Sequence, residues 1–330
     1  MVSLHNRLLE LKQGHSQYGH NGLLFAMTLK EAEKIDSVAG SSSFVKDCRN
    51  DIIGLLRDYD VGYSEHLKTA FDTFSECSIY IQLKERGVVV KRVPEGRESQ
   101  PDFEISYGSE KAYCEVKTLG WANGMHNYNV ASEDGINAKI AIEDQIQAGI
   151  KVPMATSGIA PFGQSEELSI HPGKVFTRKV IDKLRNNIKP TQFRLGPTFL
   201  ICDLSLLYIP SPSASLASVI AYMAPESNSI VSGELWHVAF GKQNDQILKR
   251  IEFEGMSNTS GRLKRDGVLV DKHKNLKALI ICTSPFDKAK KTFSVFAYSS
   301  DFEQFGEILY QISDFWNDET NSNAWEVVCR

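Results

Sequence analysis

Two carboxylates and an amine stand close together in one stretch of this 330-residue chain, in Pro101-Asp102-Phe103 and then Glu115-Val116-Lys117. Successive side chains of an extended strand point to opposite faces. Asp102, Glu104 and Ser106 therefore share one face of a first strand, with Phe103, Ile105 and Tyr107 on the other. Gly108-Ser109 supplies turn chemistry, and on the return strand Tyr113, Glu115 and Lys117 line one face while Ala112, Cys114 and Val116 line the other. With both apolar faces turned to a core, Asp102, Glu115 and Lys117 converge on the opposite side. A hard divalent cation such as Mg²⁺ takes oxygen ligands and keeps several waters, so two carboxylates and a main-chain carbonyl suffice to hold it. Asp102, Glu115 and the Val116 carbonyl are that set. A cation so held lowers the pKa of a bound water and neutralises a phosphoryl oxygen, while the Lys117 ammonium stabilises the pentacovalent transition state or orients the attacking water. The same pattern also describes a surface hairpin with a solvated polar face.

The flanking segments set the elements that must position these groups. From about Leu67 to Arg86, Phe71, Phe74, Ile79 and Leu83 form a helical stripe, and Gly87 closes it as a residue tolerant of left-handed backbone. Val88-Val89-Val90 reads as a short β-branched strand, and Pro94 to Gln100 as the loop returning to Pro101. Downstream, Val175, Val180, Ile181, Leu184 and Ile188 mark an amphipathic helix from Lys174 to Ile188. Phe199 to Leu204 is a nearly continuous apolar run, the mark of a strand buried on both faces.

This order of helix, three strands, helix and strand, with PD followed by ExK on the hairpin, resembles the PD-(D/E)xK nuclease superfamily, which includes restriction enzymes and Holliday-junction resolvases. The resemblance spans about Leu67 to Leu204. It implies an α/β fold, a restriction endonuclease-like core with a central mixed sheet flanked by helices, and Mg²⁺-dependent hydrolysis of DNA, with Mn²⁺ as a substitute. The run from Glu76 to Gly87 is similar to the first helix of archaeal-type junction resolvases, which makes Glu76 a fourth catalytic and metal-binding candidate; Glu65 and Glu85 are alternatives. Relatives place a Lys or Gln from the later helix near the scissile phosphate, a part open here to Lys179 or Lys183. Residues 118–173 exceed the minimal core, contain a helix from Glu133 to Ala148, and are expected to shape substrate choice.

Between Lys174 and Arg194 there are seven lysines and arginines against one aspartate, Asp182. Arg178, Lys179 and Lys183 are the candidates there for phosphate contact. Arg262, Lys264 and Arg265 head a second basic stretch that continues through Lys272, Lys274 and Lys277, after a Ser- and Gly-rich segment around Gly255 to Gly261. The formal charge of −4 excludes a generally basic nucleic-acid binder, so binding must use such local patches.

Three regions are expected: an N-terminal helical region over 1–62, the nuclease core over 63–208, and a C-terminal accessory α+β region over 209–330 packed on the core. Pro210 to Ser215 is the linker-like stretch between the last two. Phe302, Phe305, Leu309, Ile312 and Trp316 follow helical spacing in the tail. The six cysteines are scattered without a CxxC pair, which fits a reducing, cytoplasmic setting and argues against a structural zinc site. No secretory h-region, membrane-length apolar run, phosphate-cradling GxxxxGK[ST] or GxSxG elbow occurs. The expected activity is that of a restriction or phage-defence endonuclease on double-stranded DNA. A homodimer would supply two sites for duplex cleavage, and a partner protein in a restriction or defence complex is a further expectation. The rival reading is a non-cleaving or partner-dependent binding subunit of such a complex.

Overall fold

The computed structural model describes residues 3–15, 22–57, 65–94, 96, 99–120, 125–157, 172–206, 219–224, 227–248, 259–284, 291–320 and 328–329. The chain forms two compact units, one of residues 1–74 with 120–169, the other of 75–119 with 170–330.

In the first unit α1 (Leu4–His15), α2 (Gly22–Ala26), α3 (Leu29–Val38) and α4 (Ser43–Leu55) bury Leu4, Leu8, Ile35, Val45 and Ile52 completely. The Asp36 carboxylate of α3 accepts from the Leu4 and His5 N–H groups at 3.0 and 2.9 Å, satisfying orphan donors at the start of α1. Thr28 and Ser42 cap α3 and α4 through bonds from Glu31 N–H and Val45 N–H. Gly40 to Ser42 lie in the short α3–α4 connection. The unit also holds α6 (Met125–Gln147), which begins eight residues before the helix expected from Glu133.

The cut between the units falls inside α5 (Glu65–Glu85), the helix expected from Leu67 to Arg86. Gly87, at φ +81°, ends it: Val88 N–H bonds to Leu83 O and Gly87 N–H to Lys84 O, the paired bonds of a Schellman cap. The second unit is built on an eight-stranded mixed sheet in the order β1-β2-β3-β4-β9-β10-β11-β12. Its strands are β1 (Val89–Arg92), β2 (Phe103–Tyr107), β3 (Glu110–Thr118), β4 (Thr198–Asp203), β9 (Leu276–Thr283), β10 (Thr292–Ala297), β11 (Phe315–Asn317) and β12 (Val328–Cys329). The β5–β6 (Val219–Ala224, Ser227–Ser232) and β7–β8 (Gln246–Leu248, Thr259–Arg262) hairpins are separate. Helices α7 (Pro172–Asn187), α8 (Glu234–Phe240) and α9 (Ser299–Ile312) complete it.

β1, β2 and β3 form an antiparallel meander, and β3, β4 and β9 run parallel. The β2–β3 turn is the two-residue Gly108-Ser109 loop, with Gly108 at φ +57°. Every residue of β4 is buried, as its apolar run demands. Register places Phe103, Cys114, Phe199 and Ala278 on one face of the sheet, and Glu115, Leu200, Leu279 and Phe296 on the other. Tyr80 of α5 meets Phe103 at 5.6 Å and Phe305 of α9 meets Phe199 edge-on at 5.9 Å, so these two helices cover the first face. Phe240 of α8 meets Phe296 at 6.2 Å on the second.

The expected seam near residue 209 is not where the units part. β9 pairs with β4, so the C-terminal half continues the core sheet rather than docking on it as an accessory region. Residues 120–169, expected as an insertion in the core, cluster with the N-terminal helices. Trp316, expected on the tail helix, lies on β11, because α9 ends at Ile312; its ring still packs 5.3 Å from Phe302 and 5.1 Å from Tyr310. Pro210 to Ser215 and Gly255 to Asn258 lie outside the described residues.

Two polar anchors fix the hairpin and α5. Helix α9 is kinked at Phe305 (φ −129°, ψ 24°), and beyond the kink the Glu110 carboxylate of β3 accepts from Glu307 N–H at 3.2 Å and Ile308 N–H at 2.9 Å. At the end of β4, fully buried Asp203 accepts hydrogen bonds from Ser75 of α5, Lys291 and Ser205. Burial works to raise the Asp203 pKa, but the Lys291 charge and these bonds outweigh it and hold the carboxyl below its ordinary range. Removing one partner of such a pair strands a buried charge. Asp203→Leu or Lys291→Met alone is expected to cost about 3–5 kcal/mol in urea unfolding, and the double Asp203→Leu/Lys291→Met clearly less than the sum. Additive losses would show that the two charges do not interact.

Candidate active site

The β2–β3 hairpin brings the sequence candidates together. Extending the register Phe103↔Cys114 by one residue sets Asp102 opposite Glu115, so the two side chains lie on the same sheet face. Asp102 stands just before β2 and its Oδ2 accepts from Val116 N–H at 2.7 Å, while its carbonyl accepts from Val93 N–H. Odd-numbered residues of β3 bond to β4, as Tyr113 N–H to Pro197 O and Leu119 N–H to Asp203 O show. Val116 therefore turns its N–H and its carbonyl the other way, toward Asp102 beyond the start of β2. This is the carbonyl that the sequence assigns to a metal.

Glu115 is the deepest member. Its side chain is 4 % exposed, whereas that of Lys117, two residues on and on the same face, is 26 % exposed. The Lys117 ammonium lies 2.5 Å from Glu115 Oε1, and the same oxygen accepts from the Gln192 amide. Glu115 Oε2 is buried with no hydrogen-bond partner. Burial pushes the Glu115 carboxyl up, the charge of Asp102 adds to it, Lys117 pulls it back, Glu76 raises it again, and the result is about 7. Asp102 is also raised by burial, against the Val116 hydrogen bond and the charges of Lys117 and Arg92.

Glu76 is half-buried on α5. Its charge is felt at Glu115, and the helix is held one residue earlier by the bond from Ser75 to Asp203 and at its end by the Arg86–Asp314 pair. Asp102, Glu115 and Lys117 are thus gathered on one face at the end of β3, and Glu76 reaches them through its charge. Among the described residues no group of three His, Cys, Asp or Glu side chains is close enough to form a metal cage. An Mg²⁺ site with a hydrated cation needs only one or two carboxylates, and the orphaned Glu115 Oε2 beside Asp102 and the Val116 carbonyl fits that demand.

Gln192 is the residue that sequence reasoning missed. It lies in a 3₁₀ turn, Pro190–Phe193, between α7 and β4, is 2 % exposed, and is oriented by the bond from Lys189 N–H to its Oε1 at 2.8 Å. Its amide, rather than Lys179 or Lys183, is the group from this part of the chain bonded to Glu115. Only Pro190, which favours a turn start, marked that segment.

Of the basic candidates, Arg178, Lys179, Lys183 and Arg265 are half-buried and Arg262 and Lys264 exposed. Arg265 pairs with Asp182 of α7 at 3.2 Å and with Asn186, Arg185 of α7 donates to the carbonyls of Gly267 and Val270, and Arg262 donates to Asn244 O at 2.8 Å. The two basic stretches, 80 residues apart in the chain, are therefore one surface, with Asp182 neutralised inside it. Lys272 and Lys277 are spent on Asp301 instead.

Comparison of the chain with protein-family models, with curated proteins and with solved structures finds no match. The class that fold and site define is therefore an α/β protein with a mixed, helix-covered sheet and a buried carboxylate–ammonium cluster at the strand ends. No helix among the described residues is long and apolar enough to cross a membrane.

The raised carboxyl fixes the sign of a pH effect. Unfolded, Glu115 titrates near 4.5; folded, near 7, so the native state binds the extra proton. Metal-free protein should lose stability as pH rises from about 4.5 to about 7, by at most ~3 kcal/mol, and level off above. Urea midpoints measured in chelator across this range should show that fall, and Glu115→Gln should flatten it; an unchanged slope would rule out the raised carboxyl. Gln192→Ala removes a donor to the Glu115 carboxylate and should push its pKa further up, extending the same fall in stability to higher pH.

Proposed function

We propose that this protein is a Mg²⁺-dependent deoxyribonuclease of the PD-(D/E)xK type with a restriction endonuclease-like core, cutting duplex DNA. The observation that carries the reading is Glu115: a buried carboxylate with one oxygen held by Lys117 and Gln192 and the other left without a partner, beside Asp102. An orphaned buried oxygen on a group that ionises near neutral pH is costly unless a cation takes it up. The element order α5, β1, β2, β3, α7, β4, with α6 standing between β3 and α7, supports the same reading.

Asp102 and Glu115, with the Val116 carbonyl and Glu76 at the rim, would hold the cation, with Mn²⁺ able to replace Mg²⁺. When bound, the cation supplies charge neutralisation at a phosphoryl oxygen and an acidified water. Lys117, partly exposed above Glu115, brings its ammonium to the phosphate as negative charge builds, and leaves Glu115 to do so. Val116 N–H orients the Asp102 carboxylate, and Gln192 keeps the Glu115 carboxylate from turning. The joined basic surface of α7 and Arg262 to Arg265 is suited to the phosphates of a duplex through Arg178, Lys179, Lys183 and Lys264.

The Lys117–Glu115 contact also favours a second reading, a nucleic-acid-binding subunit in which the ammonium permanently replaces the cation. One experiment separates them. Supercoiled, linear duplex and single-stranded DNA and RNA are incubated with Mg²⁺ or Mn²⁺ and wild type, Asp102→Ala, Glu115→Ala or Lys117→Ala. Metal-dependent cleavage of DNA, reduced ~10³-fold or more in each variant, is the expected result. DNA binding without cleavage, and Mn²⁺ affinity unaltered by Asp102→Ala, would replace the nuclease by the binding subunit.

A further inference from the structure

The helix α6 and the turn after it carry an apolar surface that the site does not use. Of the eight large hydrophobic residues exposed among the described residues, six lie in one stretch: Ile136, Ile140, Ile146, Ile150, Val152 and Met154, each 48–76 % exposed. At 100° per residue, Ile136, Ile140 and Ile146, the three of these on α6, fall within about 120° of the helix circumference, an arc that also carries Lys139 and Glu143, and Ile150 follows in the turn after the helix end. The half-buried side chains are Ala138, Ala141, Ile142 and Gln145, centred on the opposite side. That side is occupied by the chain's own return: the Gln145 amide donates to Met154 O and accepts from Met154 N–H, both at 2.8 Å. Over residues 133–147 the helix thus leaves Ile136, Ile140 and Ile146 exposed, with Ala138, Ala141, Ile142 and Gln145 half-buried on the opposite side.

Charge identifies the occupant. From Glu133 to Lys151 the exposed charges are Glu133, Asp134, Glu143 and Asp144 against Lys139 and Lys151. An acidic helix repels phosphates, which argues against nucleic acid on this face. Against a second copy of itself in parallel register, Lys139 would meet Lys139 and Glu143 would meet Glu143. In antiparallel register, with the two-fold axis beside residue 141, Lys139 of each copy meets Glu143 of the other, and Ile136 lies toward the other copy's Ile146. The segment is complementary to itself in that arrangement.

We propose that the outward face of α6 is a homodimer interface, α6 packing antiparallel on α6 of a second copy of this chain. The proposal does not depend on the nuclease reading, and its test needs no DNA or metal. Sedimentation velocity of the full chain from ~1 to ~100 µM should show a dimer that Ile136→Glu/Ile140→Glu converts to monomer, with the unfolding transition of the monomer unchanged because both residues are exposed. Lys139→Glu and Glu143→Lys should each weaken the dimer about tenfold or more, and the double exchange should restore it. Monomeric wild type throughout, including one that captures a different protein, overturns the proposal. So does a dimer indifferent to the Ile136→Glu/Ile140→Glu change, and a double exchange that does not recover overturns the antiparallel register.

Discussion

The register of β3 between β2 and β4 is the constraint on which the site rests. Because side chains alternate, a slip of one residue would send Glu115 and Lys117 to the face packed by α5 and α9 and bring Cys114 and Val116 in their place. Three features hold the register. The Gly108-Ser109 turn sets the pairing with β2, the wholly buried β4 accepts β3 along six residue pairs, and Glu110 is clasped by the N–H groups that the kink in α9 exposes. Each is remote from the chemistry, yet each decides which side chains reach it.

Two buried carboxylates on neighbouring strands are treated in opposite ways. Asp203 is saturated: a lysine and two serine hydroxyls surround it, its pKa is lowered, and it works as a rivet between α5 and the end of β4. Glu115 is left short: one oxygen has two donors, the other none, and its pKa is raised. A fold that satisfies one buried charge fully and leaves the other wanting stores at Glu115 a demand for positive charge, and that demand is the physical content of the nuclease proposal. Because Asp203 fixes Ser75, and Ser75 precedes Glu76, the saturated group also sets where the fourth carboxylate stands.

Much of this was legible from the chain. Asp102, Glu115 and Lys117 on one face follow from a period of two and a glycine turn, and α5, α7 and β4 follow from apolar spacing, with ends within a few residues. Gln192 was not legible, since its bond to Glu115 crosses 77 residues and its own segment carries no periodicity. Nor was the ion pair of Asp203 with Lys291, hidden in an apolar run whose last residue reads as an ordinary strand end. Nor was the joining of the C-terminal half to the core sheet legible, since the pairing of β4 with β9 spans a gap of more than seventy residues, and a strand's partner is not written in its own pattern.

The sequence by itself determined the local geometry: which residues alternate, where helices stop, and which charges share a strand face. Those are consequences of backbone periods and of glycine's tolerance of positive φ, and they act over a few residues. Only the tertiary structure decided which oxygen of Glu115 is left bare, that Arg265 and α7 make one basic surface, and that α6 leaves Ile136, Ile140 and Ile146 exposed. These depend on groups brought together from distant parts of the chain, where burial and neighbouring charge, rather than residue type, set what a side chain can do.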